Sequence, residues 1–322
     1  MASRLTYKSK QLFFVLIKIS LVVAAFYFIY KKLTKNSDLN FYDFLLFLSK
    51  NNSFSLKNIT FLIILSILNW FFEILKWQEL VSFIQKISFK RALEQSLGSL
   101  TASLFTPNRI GEYGAKAIYF KRPLRKRILL INLLSNLLQM GITTILGIIG
   151  LLFFYRSYNI NLSINSLIII TSISVFTLVL IVFLFRKNNF GLKGFPLGKI
   201  KQFIIYYPRN KLVLATLFSL LRYLIFSFQF YYLLTLFGID ISYLNAMMVI
   251  TSMYLLASII PSLVVFDVVI KGSIAVYLFS FLGVEELISL SVVTLMWILN
   301  FVLPSIIGSY YVLIFNFTKN NN

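Results

Sequence analysis

Residues 102–120 read ASLFTPNRIGEYGAKAIYF, and the reading of this stretch decides the fold. It lies within apolar sequence, yet it carries Arg109, Glu112 and Lys116 and is interrupted by Thr106, Pro107 and Asn108. Proline ends a helix because its ring removes a backbone donor and clashes with the preceding turn. Irregular backbone at membrane depth persists only where protein or a wet cavity covers it. Segment 92–120 is therefore expected to enter a membrane as a half-helix, turn at Thr106–Gly111 and leave as a second half-helix. Pro107 and Gly111 would form the tip of this re-entrant hairpin.

The surroundings supply the membrane. Hydrophobic residues fill 59% of the 322 positions and charged residues 13%, where a soluble domain carries about 25% charge. Apolar runs fall near 11–30, 59–83, 128–155, 164–185, 211–237 and 286–316, of the order of the ~20 residues that span a hydrocarbon core. A second broken segment, 243–283, is interrupted by IPSLVVFD (Ile260 to Asp267), with Pro261 at its tip. The expected fold is all-α and integral to the membrane, with about six spanning helices and two re-entrant hairpins in a single transmembrane domain over residues 1–322.

Charge sets the orientation. Thirty-one basic against 10 acidic residues give a net charge of +21. The basic residues cluster between apolar runs, as in KRPLRKR (Lys121 to Arg127), which is the pattern of the positive-inside rule. The excess is read as topology, and membrane lipids rather than nucleic acid are the expected partners. Placing the N-terminus in the cytoplasm satisfies nearly all of these loops; the exception is 31–58, whose five lysines fall outside. The apolar run after MASRLTYKSK is too long for a signal peptide and lacks a small-residue cleavage site, so it is expected to be the first spanning helix. The absence of Cys excludes disulfides and thiolate ligands. The absence of His removes the commonest general base and metal ligand. No cofactor or metal site is expected, and localisation to the cytoplasmic membrane is. The Lys-, Asn-, Ile- and Phe-rich composition suggests an AT-rich bacterial genome.

The opening motif returns half a chain later. Shifted by 155 positions, Ala102 and Ser103 fall on Ala257 and Ser258, Glu112 on Asp267 and Lys116 on Lys271, while Pro107 misses Pro261 by one residue. The helices follow: 11–30 lands on 166–185, 59–83 on 214–238 and 128–155 on 283–310. Repeat 1 covers about 9–155 and repeat 2 about 164–316. Helix, helix, hairpin, helix crosses the membrane three times, so the second copy is inverted. Inverted repeats with broken helices meeting near the midplane characterise secondary transporters.

Glu112 and Lys116 share a helix face, as do Asp267 and Lys271. Each pair either neutralises itself and locks its hairpin or lines a polar cleft; two occurrences favour the cleft. Arg109 opens the outgoing half-helix of the first hairpin, where it either binds phosphate together with free amide donors or snorkels to a headgroup interface. Asn69, Glu73 and Lys76 lie on a similar face of the second helix. Glu73 with Lys76 reads as an i,i+3 pair near a cytoplasmic end, and Trp70 and Trp77 as interfacial anchors. Arg222 and Gln229, seven apart, supply complementary polar contacts in the second half. Asn132, Asn136, Gln139 and Asn300 read as interhelical hydrogen-bond glue.

The hairpins resemble those of the flippase-like family that includes the transmembrane region of lysylphosphatidylglycerol synthetases. The residues that carry the resemblance are TPNRIGEYGAKA (Thr106 to Ala117), similar to that family's Pro-Gly-x-x-Gly-Glu element, NWFFEILKW (Asn69 to Trp77), and PSLVVFDVVIKGSIAVYLFSFLGV (Pro261 to Val284). The second hairpin has Leu263, Val264 and Asp267 where the family's glycine-rich turn and glutamate are expected. The chain ends at FNFTKNNN, so the resemblance implies the lipid-translocating half rather than the synthetic half. The expected translocation site is a lipid cleft in which Arg109, Lys116 and Lys271 attract phosphate while Glu112 and Asp267 balance them or take protons, with Glu73 and Arg222 also lining it. Two rival functions stand beside it: a membrane-embedded transferase on a lipid-linked substrate, with Glu112 or Asp267 as base, and an accessory subunit of envelope assembly.

Overall fold

The computed structural model describes residues 55–104, 106, 110–158, 205–260 and 264–315, with a few positions between 191 and 203. The expected helices at 11–30 and 164–185, the tip residues Pro107 and Pro261, Arg109 and the side chain of Asp267 lie outside the described residues.

The described residues begin with α1 (Leu56–Val81), followed by α2 (Phe89–Ala102), a break, and the short α3 (Gly111–Ile118). A 3₁₀ turn at Arg122–Leu124 leads into α4 (Arg125–Tyr158). A two-residue antiparallel ladder, β1 (Gly191–Leu192) with β2 (Phe195–Pro196), precedes α5 (Arg209–Leu236). The helices α6 (Tyr243–Ile259) and α7 (Val264–Ser280) repeat the broken arrangement, and α8 (Glu286–Trp297) continues through a π turn (Ile298–Val302) into α9 (Leu303–Ile314). Serine begins three of these helices: Ser55, Ser88 and Ser242 each accept from the amide three residues on, a cap that stabilises a helix by about 1 kcal/mol.

Among the described residues, four helical stretches are long and apolar enough to cross a membrane: Leu56–Val81, Arg122–Tyr158, Arg209–Leu236 and Glu286–Ile314. Tyr243–Ile259 and Val268–Ser280 are apolar but shorter. Ile67, Leu152, Phe153 and Val213 stand exposed, as side chains facing acyl chains do. The protein is a multi-pass, helical membrane protein.

The second break is shorter than the sequence suggests. Helix α6 ends at Ile259 and α7 begins at Val264, so Asp267 lies inside α7 rather than between the helices.

Three helix pairs dominate the packing: α1 on α5, α4 on α6 and α9 on α2. The last two are close because glycine makes them so. A Cβ on Gly150 of α4 would lie 1.9 Å from Thr251 Oγ1 and 2.9 Å from the Met248 carbonyl oxygen. On Gly308 of α9 it would lie 2.2 Å from the Leu97 carbonyl oxygen of α2. Small residues let membrane helices approach until backbone and hydroxyl groups touch, and Thr101 Oγ1 donates across to the Ser305 carbonyl at 2.9 Å.

A buried charge network as candidate functional site

Helical spacing puts Asn69, Glu73 and Lys76 on one face of α1, and all three are buried. The Glu73 carboxylate accepts Lys76 Nζ at 2.7 Å and Arg222 Nη1, from α5, at 2.5 Å. Arg222 Nε also donates to Asn69 Oδ1 at 3.0 Å, and its guanidinium lies 5.8 Å from the Trp70 ring centroid.

From Asn69 the hydrogen bonds continue along α1. Its Nδ2 donates to Asn300 Oδ1, Asn300 Nδ2 to Gln229 Oε1, and Gln229 Nε2 to Ser66 Oγ and the Leu62 carbonyl, all at 2.8–2.9 Å. Asn300 sits in the π turn, for which Pro304 supplies a local cause. Proline has no amide, so the carbonyl four residues earlier loses its helical donor. That carbonyl belongs to Asn300, and Trp70 Nε1 donates to it at 3.0 Å.

The first broken segment contributes the other arm. Thr106 Oγ1 accepts from the Gly111 amide at 2.8 Å, closing the turn. A Cβ on Gly111 would meet Thr106 at 2.8–2.9 Å, which explains glycine at this tip. On α3, Lys116 Nζ pairs with Glu112 Oε1 at 2.8 Å and donates to Asn132 Oδ1 of α4 at 2.9 Å. The same ammonium lies 4.1 Å from the Trp77 ring centroid, a cation–π contact in a dry setting. Trp77 Nε1 in turn donates to Gln95 Oε1 of α2 at 2.8 Å. Lys116 is also within electrostatic reach of Glu73 and Lys76, so both arms form one network.

Of the residues singled out from sequence, Glu73, Arg222, Glu112 and Lys116 come together here. Lys271 is half-buried on α7, whose main neighbours are α6 and α8. Two expectations are corrected. Trp70 and Trp77 are not interfacial anchors; both are buried, with each indole N–H satisfied inside the protein. Glu73 and Lys76 are not an isolated pair at a helix end, because Arg222 shares the carboxylate. The network also recruits Lys76, Asn69, Asn132, Gln229 and Asn300. Their signal was present: amide and charged side chains inside apolar helices, at spacings that share a face.

The family model described as the lysylphosphatidylglycerol synthase TM region matches residues 15–308. The chain belongs to this family. The matched region runs from before α1 into α9 and contains every residue of the network. Membership in the lysylphosphatidylglycerol synthase TM family gives these buried charges a membrane-lipid setting. Among curated proteins no match is found.

Proposed function

We propose that this protein translocates a lipid, either a phospholipid or a lipid-linked precursor, across the cytoplasmic membrane. The route is a polar cleft between two re-entrant hairpins of an inverted repeat. The observation that carries this reading is the buried network itself: five charged side chains, drawn from α1, α3 and α5, placed inside a multi-pass membrane protein. Charges in membrane helices are costly, pair with one another, and mark pathways for polar cargo. A headgroup in transit needs such partners while its acyl chains stay in lipid.

The repeat is supported by helix bounds. Shifted by 155, Leu56–Val81 falls on 211–236, within Arg209–Leu236; Phe89–Ala102 falls on 244–257, within Tyr243–Ile259; and Gly111–Ile118 falls on 266–273, within Val264–Ser280. The packing is reciprocal. Helix α1 pairs with its counterpart α5; α4 pairs with the counterpart of α2, and the counterpart of α4 pairs with α2. A two-fold relation between the halves produces this exchange. With six spans and a cytoplasmic N-terminus, the first hairpin enters from the cytoplasm and the second from the opposite face. Rocking of the halves would then alternate access.

The test is lipid flip-flop in proteoliposomes, comparing the native chain with Glu112→Gln and Asp267→Asn, and with empty liposomes. Accelerated flip-flop that Glu112→Gln abolishes is the expected result. No acceleration of anionic, zwitterionic or polyprenyl-phosphate probes by folded protein would remove this reading.

A further inference from the structure

The three helix pairs that dominate the packing each join an early helix to a late one, yet they are built in two different ways. Helices α1 and α5 are fastened by side chains from end to end. Tyr232 donates to Asn58 Oδ1 at 2.9 Å, Gln229 donates to Ser66 and the Leu62 carbonyl, and Arg222 holds Asn69 and Glu73. At the far end Lys211 Nζ pairs with Glu79 Oε1 at 2.8 Å and meets Ser82 Oγ at 2.6 Å. Shifting α1 along α5 would break these rungs together, and the buried ones would leave polar groups without partners.

The other two pairs meet through glycine. Gly147 and Gly150 of α4 lie against Leu255, Thr251 and the Met248 carbonyl of α6, and the Thr251 hydroxyl turns to the Met247 carbonyl of its own helix. Gly308 of α9 lies against Leu97 and Thr101 of α2. There Thr101 Oγ1 reaches two acceptors, the Ser305 carbonyl across the seam at 2.9 Å and the Leu97 carbonyl of its own helix at 3.4 Å, so parting the seam leaves the hydroxyl a partner. A glycine face has no side chain to disengage, and helices that meet on one shift past each other by small steps. Each seam holds the first leg of a broken segment, α6 in one and α2 in the other. Under the proposed inversion α2 enters from the cytoplasm and α6 from the opposite face, so the two seams close opposite sides. We propose that the α1–α5 pair is a fixed axle and that the α4–α6 and α2–α9 seams are the outer and inner gates, opening in alternation. The inference deepens the translocation reading and rests on it for its use, but the motion is measured without any lipid being flipped.

The chain has no cysteine, so introduced pairs report each contact alone. Leu56→Cys with Thr235→Cys spans the axle, Ser157→Cys with Leu244→Cys the outer seam, and Lys90→Cys with Ile314→Cys the inner one; all six positions are exposed. Spin-label distances of the full chain in nanodiscs should show one narrow population across the axle and two populations across each seam. In proteoliposomes, closing either seam with a short bis-maleimide should stop flip-flop, whereas the same cross-link across the axle should leave the rate of its uncross-linked pair unchanged. Two populations across the axle, or a single one across either seam, would overturn the proposal. Flip-flop that persists with a seam cross-linked, or that stops with the axle cross-linked, would overturn it as well. Two populations across both seams in a chain that flips no probe would support the gates while removing the translocation reading. Flip-flop by the native chain with all three distances fixed would do the reverse.

Discussion

Glu73 holds two cations on one carboxylate, so its loss strands more charge than it removes. Breaking a buried ion pair from one side costs about 3–5 kcal/mol, because the partner remains buried and uncompensated. Glu73→Gln is expected to lower stability by that order, read as the midpoint of an unfolding titration in detergent. Adding Arg222→Gln should recover part of the loss, since only Lys76 then lacks its counter-charge. A double-mutant cycle that shows no coupling between positions 73 and 222 would mean that the 2.5 Å contact contributes nothing. This scale also shows what the sequence makes legible. Glu112 with Lys116 and Glu73 with Lys76 follow from spacing on one helix. The contact from Glu73 to Arg222 joins residues 149 positions apart, and only the packing of α1 on α5 brings them together. The tryptophans look like interfacial anchors for the same reason: composition marks them as amphipathic, whereas the groups that satisfy them, Gln95 and the Asn300 carbonyl, lie on other helices, the second 230 positions from Trp70.

Among the elements, the four spans were legible because a long apolar run admits few alternatives in a membrane, and the breaks because proline interrupts them. The π turn was not. Residues 286–316 read as one uninterrupted apolar helix, and the turn's consequence lies in which donor reaches the freed carbonyl. Pro304→Ala supplies an amide that competes with Trp70 for the Asn300 carbonyl and draws Asn300 toward regular helical geometry. Proline inside a helix costs about 3 kcal/mol, so the variant should unfold no earlier than the native protein. Its flip rate should nevertheless fall, because Asn300 ties Asn69 to Gln229. An unchanged rate would mean that the π turn only accommodates the proline. Glycine gives a cleaner contrast. Gly150→Ala and Gly308→Ala each drive a Cβ into a neighbouring helix at 1.9–2.2 Å, overpacking that costs about 1–3 kcal/mol. Gly141→Ala meets nothing within 4 Å and should stabilise α4 by about 0.5–1 kcal/mol through helix propensity. Equal melting midpoints for all three variants would contradict the close approach of α4 to α6 and of α9 to α2.

For the whole molecule the decisive matter is inversion, because two broken segments alternate access only if they enter from opposite faces. The proposed repeat rests on a 155-residue offset in the sequence, but four matched residues cannot fix a direction; its inversion is proposed from three crossings per copy. The chain contains no cysteine, so single cysteines report sidedness against a silent background. Lys86 lies exposed just after α1 and Asp240 lies exposed just after α5. Their helices occupy equivalent places in the proposed repeat, so a parallel duplication would put both residues on one face and an inverted one would separate them. The basic residues after α1 and α3 are the ground for proposing that the Lys86 side is cytoplasmic. On intact spheroplasts, a membrane-impermeant maleimide should therefore label Asp240→Cys and spare Lys86→Cys until the membrane is opened. Labelling of both from outside, or of neither, would place α1 and α5 in the same direction. The reciprocal packing of α4 on α6 and of α9 on α2 would then need an explanation other than a two-fold axis in the membrane plane.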